Sequence, residues 1–308
     1  MVEEYNDTRS GFLLALTAYT IWGFTPFYIK SVEHIHALHI LVYRIVFSLP
    51  IITLVLIAMG RTSDLKSALT SWRMVGMAFI TAALVTINWG VFIYSVVTDR
   101  SLETALGYYI NPLFTVMLGA VVLRERLDKL QMTAIALAAV GVAVVTWEVG
   151  RLPWMALAVT VSWGLYALAR RALPIGPNQG FLLELLILAV PAFAFLVYSH
   201  LHVGQFPGPV TMQDYVLLMF GGLVTTVPLL LYANGAKRLK LSTIGIMQYV
   251  APTIIFLIAV FVFREPFSSG RAIAFAIIWS ALGIYSISIF RTMRRRPVMI
   301  AEETPPLD

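Results

Sequence analysis

The sequence predicts an all-α integral membrane protein: ten transmembrane helices in two inverted five-helix repeats around a central cavity. Three observations predict it. The 308 residues are 59% apolar and 12% charged, with a mean hydropathy of +0.83, whereas about a quarter of a soluble domain's residues are charged. Ten apolar runs, each near the ~20 residues that cross a bilayer core, leave little chain over. One stretch also occurs twice. YYINPLFTVMLGAVVLRE at 108–125 matches QYVAPTIIFLIAVFVFRE at 248–265 without a gap, 140 positions on.

The runs lie near 11–30, 38–59, 74–97, 102–123, 128–148, 152–171, 178–198, 213–235, 241–263 and 269–290. Ahead of them, MVEEYNDTRS is acidic and polar. No small-residue cleavage site follows the first run, so it reads as a retained span. The organisation expected is an N-terminus at 1–10, a first repeat at 11–150, a second at 151–291 and a tail at 292–308. That tail, basic and then acidic and Pro-rich, reads as disordered. There is no cysteine, hence no disulfide framework.

A net charge of +6 and a pI near 9.6 would suggest nucleic acid in a soluble protein. Here the excess is loop Lys and Arg, and no nucleic-acid partner is expected. Of the 22 Lys and Arg, 16 fall at the termini and in the even-to-odd loops, and 5 in the other loops. Arg44 lies within a span. This bias puts both termini in the cytoplasm.

The repeat reaches beyond the quoted stretch. Trp22-Gly23 of span 1 meets Trp163-Gly164 of span 6, and Pro50 meets Pro191, both 141 positions on. Thr86 meets Thr226 at 140. A duplicated unit with an odd number of crossings inserts upside down the second time, the architecture of many secondary transporters.

Several residues are candidates for the cavity. Pro112 and Pro252 each lack an N–H and displace the carbonyl four residues back, which belongs to Tyr108 and Gln248. They read as hinges lining the pathway, or as static kinks. Thr104, Tyr108, Asn111 and Thr115 share one face of span 4; Thr81, Asn88, Phe92 and Ser95 share one face of span 3. Such faces either bond neighbouring helices or line a wet cavity, and the amides of Asn88 and Asn111 suit a zwitterionic ligand. Trp22 and Trp163 stand mid-span, away from the interfaces where Trp anchors, and Tyr109, Tyr249 and Trp89 are weaker versions of that case.

Arg44 and Glu184 read as the intramembrane charges, a functional signal by default. Each lies about 9 Å deep at ~1.5 Å per residue, from opposite faces of a ~30 Å core. A direct bridge is therefore not favoured. Arg44 is placed to attract a carboxylate or brace the outer half, and Glu184 to attract an amino group, carry a proton or cap a polar cluster. The five histidines, in HIHALH and HLH, sit outside or at the outer ends of spans. With no Cys or carboxylate set beside them, they read as solvated loop residues and no metal site is expected. The pairs Arg124-Glu125 and Arg264-Glu265 mark span ends, with an ion-pair gate as the alternative.

NWGVFIYSV (88–96), SLETALGYYINPL (101–113), LRERL (123–127), TTVPLLLYANGAKRLKLSTIGIMQYVAPT (225–253), FREP (263–266) and FAIIWSALGIYS (275–286) resemble the drug/metabolite transporter superfamily, in its RarD-like EamA branch. The resemblance covers nearly all of 11–290. It implies ten spans in two inverted halves, a bacterial inner membrane, and export of small metabolites, with YddG-type amino-acid exporters among the relatives. The function expected is alternating-access export of small organic solutes, most plausibly aromatic and other neutral amino acids, by a monomer without cofactors. A multidrug exporter is the alternative, though Arg44 argues against cationic drugs. An intramembrane enzyme would need a catalytic constellation at depth, and no buried His, paired acids or Ser-His set is legible. Without a GxxxxGK[ST] loop, ATP hydrolysis is not expected.

Overall fold

Thr8 opens the first helix: its side chain accepts the Gly11 N–H, which has no intrahelical acceptor. The computed structural model describes residues 8–60, 69–122, 124, 127–202, 206–236, 238–239 and 241–302. Among them all regular structure is helical. In chain order come α1 (Arg9–Ser31), α2 (Ala37–Ala58), α3 (Trp72–Val97) and α4 (Ser101–Val122). Next are α5 (Lys129–Val149), α6 (Trp154–Ala172), α7 (Pro177–Leu201) and α8 (Met212–Ala236). The local signals are orthodox. Asp128 and Gln131 form a capping box at the start of α5, Gly150 ends it at φ 70°, and Pro177 sits at the start of α7.

The ninth crossing comes in pieces. α9 (Leu241–Met247) stops at a turn through Gln248 and Tyr249, then α10 (Val250–Leu257) runs into a π-helical turn at Ile258–Val262. The matched fourth crossing is one unbroken helix with Pro112 inside, so the paired prolines do not give paired shapes. Pro252 falls in the first turn of α10, where a missing N–H costs no hydrogen bond. α11 (Ser269–Glu302) completes the chain. Its backbone is helical to Glu302; the rest of the expected tail, 303–308, lies outside the described residues.

Eight of the described helices are long and apolar enough to cross a membrane: α1 to α5, α7, α8 and Ser269–Ser288 of α11. The other two expected crossings are α6, which ends in Arg170 and Arg171, and the broken ninth. Leu54, Phe79, Val190 and Phe261 are each more than half exposed, an outward apolar surface that suits lipid rather than water. This is a multi-pass membrane protein.

The chain gathers into two compact units, Met1–Tyr108 with Trp154–Pro266, and Tyr109–Pro153 with Phe267–Asp308. In the first, α1 packs on α8 and α10, α2 on α7 and α8, and α3 on α6 and α7. α4 enters this unit through Gly107, where a Cβ would lie 2.4 Å from the Ala156 carbonyl oxygen of α6. Gly23 of α1 makes the corresponding approach to Ile254 of α10, at 2.7 Å. Small residues let helix backbones close up where no hydrophobic force drives them together. In the second unit α5 packs on α11, Gly141 lies against Ile278, and the Ser288 hydroxyl donates to Asp128.

These pairings have a pattern. With α9–α10 counted as the ninth crossing and α11 as the tenth, exchange each helix for the one five places away. Then 1–8 becomes 6–3, 2–8 becomes 7–3, and 1–9 becomes 6–4, while 2–7 and 5–10 map onto themselves. The backbone repeats too. Arg124 and Arg264, 140 positions apart, adopt φ of 56° and 54°, a left-handed conformation uncommon outside glycine.

Candidate solute-binding site

The polar faces expected on α3 and α4 meet. The Tyr108 hydroxyl donates to Asn88 Oδ1 (3.2 Å), and Asn88 Nδ2 donates to the Val159 carbonyl (3.0 Å) and to Ser162 Oγ (3.2 Å) of α6. One turn away, the Ser95 and Thr104 hydroxyls are bonded at 3.0 Å, and Phe92 meets Tyr108 edge to face. Asn88, Ser95 and Thr104 are buried. Polar contacts between membrane helices are worth about 0.6–1.7 kcal/mol each, so Asn88 ties three helices with several of them.

Arg44 of α2 belongs to the same group. It is 6% exposed, and its guanidinium stacks 4.6 Å from the Trp89 ring centre of α3. Nε donates to the Thr225 hydroxyl of α8, which itself donates to the Gly221 carbonyl. Among the described residues neither terminal nitrogen has a hydrogen-bond acceptor, and no carboxylate lies within ion-pair distance. The Tyr28 hydroxyl is buried without a partner, held where a Cβ on Gly221 would come within 2.1 Å of it. Phe181 of α7 meets Trp89 edge to face. Trp89 of α3 and Thr225 of α8 therefore hold a guanidinium that faces no described carboxylate.

Glu184 is elsewhere, and its partner was not foreseen. It is fully buried in α7. Arg170 of α6, expected in a loop, approaches Oε1 at 3.6 Å, and the Tyr166 hydroxyl donates to Oε2 at 3.2 Å. Arg170 also donates to the Pro177 carbonyl at 2.6 Å and lies over Gly180, where a Cβ would leave no room for it. Glu184 thus has a cationic partner from the end of the neighbouring helix. Sequence position hid this because Arg170 sits at a span end, where Lys and Arg usually face water.

The remaining expected residues divide. Trp22 packs with Tyr19 and Tyr232, against a core that includes Met247. Trp163 stacks on Tyr166, beside Glu184. Gln248 and Tyr249 form the break in the ninth crossing. Asn111, Pro112 and Tyr109 belong to the second unit, where Tyr109 meets Phe275 and Trp279. His39 corrects the picture of solvated histidines. It is 5% exposed, set against Phe195 and Gly208, because α7 packs over this first turn of α2. Tyr28, Thr225, Ser162 and Phe181 carried no sequence signal of their own, being single residues on four different helices.

A second polar group joins the ends of several helices. The Ser101 and Leu102 N–H groups, at the start of α4, donate to the two oxygens of Glu265 at 2.7 and 2.9 Å. Glu265 is 5% exposed and caps another helix instead of pairing with Arg264; Glu125, its counterpart, lies outside the described residues, as does Arg126. Glu103 accepts the Met155 N–H at the start of α6 (3.0 Å), and Lys30 at the end of α1 bonds Asp99 at 2.8 Å.

The model of the EamA-like transporter family matches twice, over residues 9–147 and 152–289. An uncharacterized transporter of Vibrio cholerae is 41% identical over 93% of this chain and 95% of its own. Protein RarD of Escherichia coli is 38% identical over 95% of this chain and 99% of its own. A solved crystal structure, 18% identical, superposes with a TM-score of 0.59 over 92% of this chain and 98% of that one, a likeness of fold alone. The chain is a membrane transporter that belongs to the EamA-like family, in its RarD-like branch.

Proposed function

We propose that the chain is a secondary transporter that exports small organic solutes, amino acids first among them, across a bacterial inner membrane by alternating access. The observation that carries this reading is the pairing of helices that survives exchange of the two halves, together with the contacts that hold Arg44 against α3 and α8. Two inverted five-helix repeats, with both termini cytoplasmic, account for that pairing. Transporters of this kind hold their solute between repeats and expose it by rocking one against the other. The break at Gln248 and Tyr249 and the π turn after it give the ninth crossing backbone that is tolerated at membrane depth only inside protein or beside water. A single chain supplies the whole site, so the working unit is a monomer.

Amino acids are favoured because the group joins a cation, amide and hydroxyl groups and the rings of Trp89, Phe92, Tyr108 and Phe181 in one place. An exporter of cationic drugs is disfavoured by the charge of Arg44. Flux of a radiolabelled amino-acid panel into proteoliposomes tests the reading. Saturable flux above that of empty vesicles is expected for neutral and aromatic members, and no flux for any member would overturn the substrate assignment.

A further inference from the structure

We infer that the Arg44 group is a carboxylate-binding site that needs no amine on its ligand and rejects solutes whose only charge is positive. This deepens the transport reading and rests on it for one point, that the bound solute is the one carried. The reasoning starts from what the guanidinium lacks. Arginine stays charged in proteins and carries five donor hydrogens in a planar fork. Here one of them, on Nε, reaches Thr225, and the Trp89 ring covers one face. The terminal nitrogens keep their donors unused among the described residues. They are not among the fully buried side-chain atoms without a partner, so they are open to a ligand, and no described carboxylate offsets the charge. A bidentate carboxylate supplies the offsetting charge with two charge-assisted hydrogen bonds.

The Tyr28 hydroxyl supplies a third donor. It is buried, has no partner, and lies against Gly221, whose carbonyl accepts from the same Thr225 hydroxyl that receives Arg44 Nε. The Tyr108 hydroxyl already donates to Asn88.

Neighbouring acids are engaged elsewhere. Glu184 faces Arg170 and Tyr166. Asp214 accepts from the Val210 and Thr211 N–H groups and pairs with His34. Glu265 caps α4 and Glu103 meets α6 and Arg100. No described carboxylate is left to receive an ammonium group beside Arg44. The site therefore carries one net positive charge, and its complement is one negative charge. A zwitterion is accepted through its carboxylate, and its amine adds nothing.

Three probes with one ring separate the terms: L-phenylalanine, 3-phenylpropionate, which lacks the amine, and phenethylamine, which lacks the carboxylate. Binding to the purified full chain in detergent is read by intrinsic fluorescence, to which Trp89 contributes. Phenylalanine and 3-phenylpropionate are expected to bind within about threefold of one another, and phenethylamine roughly a hundredfold or more weaker, the loss that follows when one partner of a buried charge pair is absent. Arg44→Gln should abolish binding of both carboxylates, Arg44→Lys should weaken it by an intermediate factor, and Tyr28→Phe should weaken it roughly three- to tenfold. The wild-type comparison needs no variant, so a misfolded Arg44→Gln leaves the test intact. Phenethylamine binding as tightly as 3-phenylpropionate, or carboxylate binding unchanged in folded Arg44→Gln, overturns the inference. Carboxylate selectivity without amino-acid flux would overturn the export reading alone. Flux of amino acids with selectivity for the amine would overturn this inference alone.

Discussion

Replacing Glu265 should unfasten the start of α4. The carboxylate is 5% exposed and accepts the Ser101 and Leu102 N–H groups at 2.7 and 2.9 Å. Hydrogen bonds to a charged group contribute about 1.5–3 kcal/mol each, and a negative charge at a helix N-terminus adds about 0.3–1 kcal/mol. Glu265→Ala removes all three contributions and leaves two buried donors without acceptors, a cost of about 3–7 kcal/mol. Glu265→Gln keeps an acceptor oxygen but not the charge, so roughly half of that loss is expected. Thermal unfolding in detergent, followed by fluorescence-detected size exclusion, measures both. At ~2 °C per kcal/mol for a large domain, the midpoint should fall by on the order of 10 °C for Ala and about half as much for Gln. A midpoint for Glu265→Ala within 1–2 °C of wild type, an interval set roughly by that same conversion, would show that the two hydrogen bonds do not hold the helix end.

Other outcomes follow from the same packing. Gly107→Ala puts a Cβ against the Ala156 carbonyl oxygen and Cα, which are backbone and cannot turn aside; a loss of about 1–3 kcal/mol is expected in the same unfolding assay. Breaking the buried pair with Arg170→Gln should cost about 3–5 kcal/mol, and adding Glu184→Gln should recover most of it; additive losses would mean that the two do not act as a pair. Because Arg170 faces Glu184, Glu184→Gln should leave the response of flux to an imposed pH gradient unchanged, and loss of that response would give Glu184 the coupling proton instead. Asp128 caps α5. Its partial burial raises the carboxyl pKa, but the Ser288 hydroxyl, the Gln131 and Leu130 N–H groups and the Arg291 charge outweigh this and leave it below the ordinary value. Its share of stability is therefore complete above the unfolded pKa of about 3.9 and is lost as pH falls through the lower folded value. Wild-type unfolding in acid should show this loss, and Asp128→Ala should not.

The crossings were legible because lipid demands about 20 apolar residues in a row, and α1 to α8 start and stop close to the runs marked on the sequence. The meeting of α3 with α4 was legible for a related reason. Asn88, Ser95, Thr104 and Tyr108 repeat at helical spacing, and a polar face in lipid needs another to bond. What stayed hidden lies far apart in the chain. Arg44 reaches Thr225 across 181 positions, and Glu265 reaches Ser101 across 164, with no periodicity to announce either contact. Arg170 was hidden by convention, since a cation at a span end ordinarily faces water. Nor did the shared proline foretell different shapes. Pro112 sits inside one helix and Pro252 in the first turn after a break, a difference set by neighbours rather than by the proline.

The central claim is that one unit is inserted twice, in opposite directions. The chain has no cysteine, so single cysteines can report sidedness directly. Arg124 and Arg264 occupy matched positions with the same left-handed backbone. In intact cells a membrane-impermeant maleimide should label Arg264→Cys, and it should label Arg124→Cys only after the membrane is permeabilised. Labelling of both from the same side would contradict the inverted repeat, and with it the rocking mechanism.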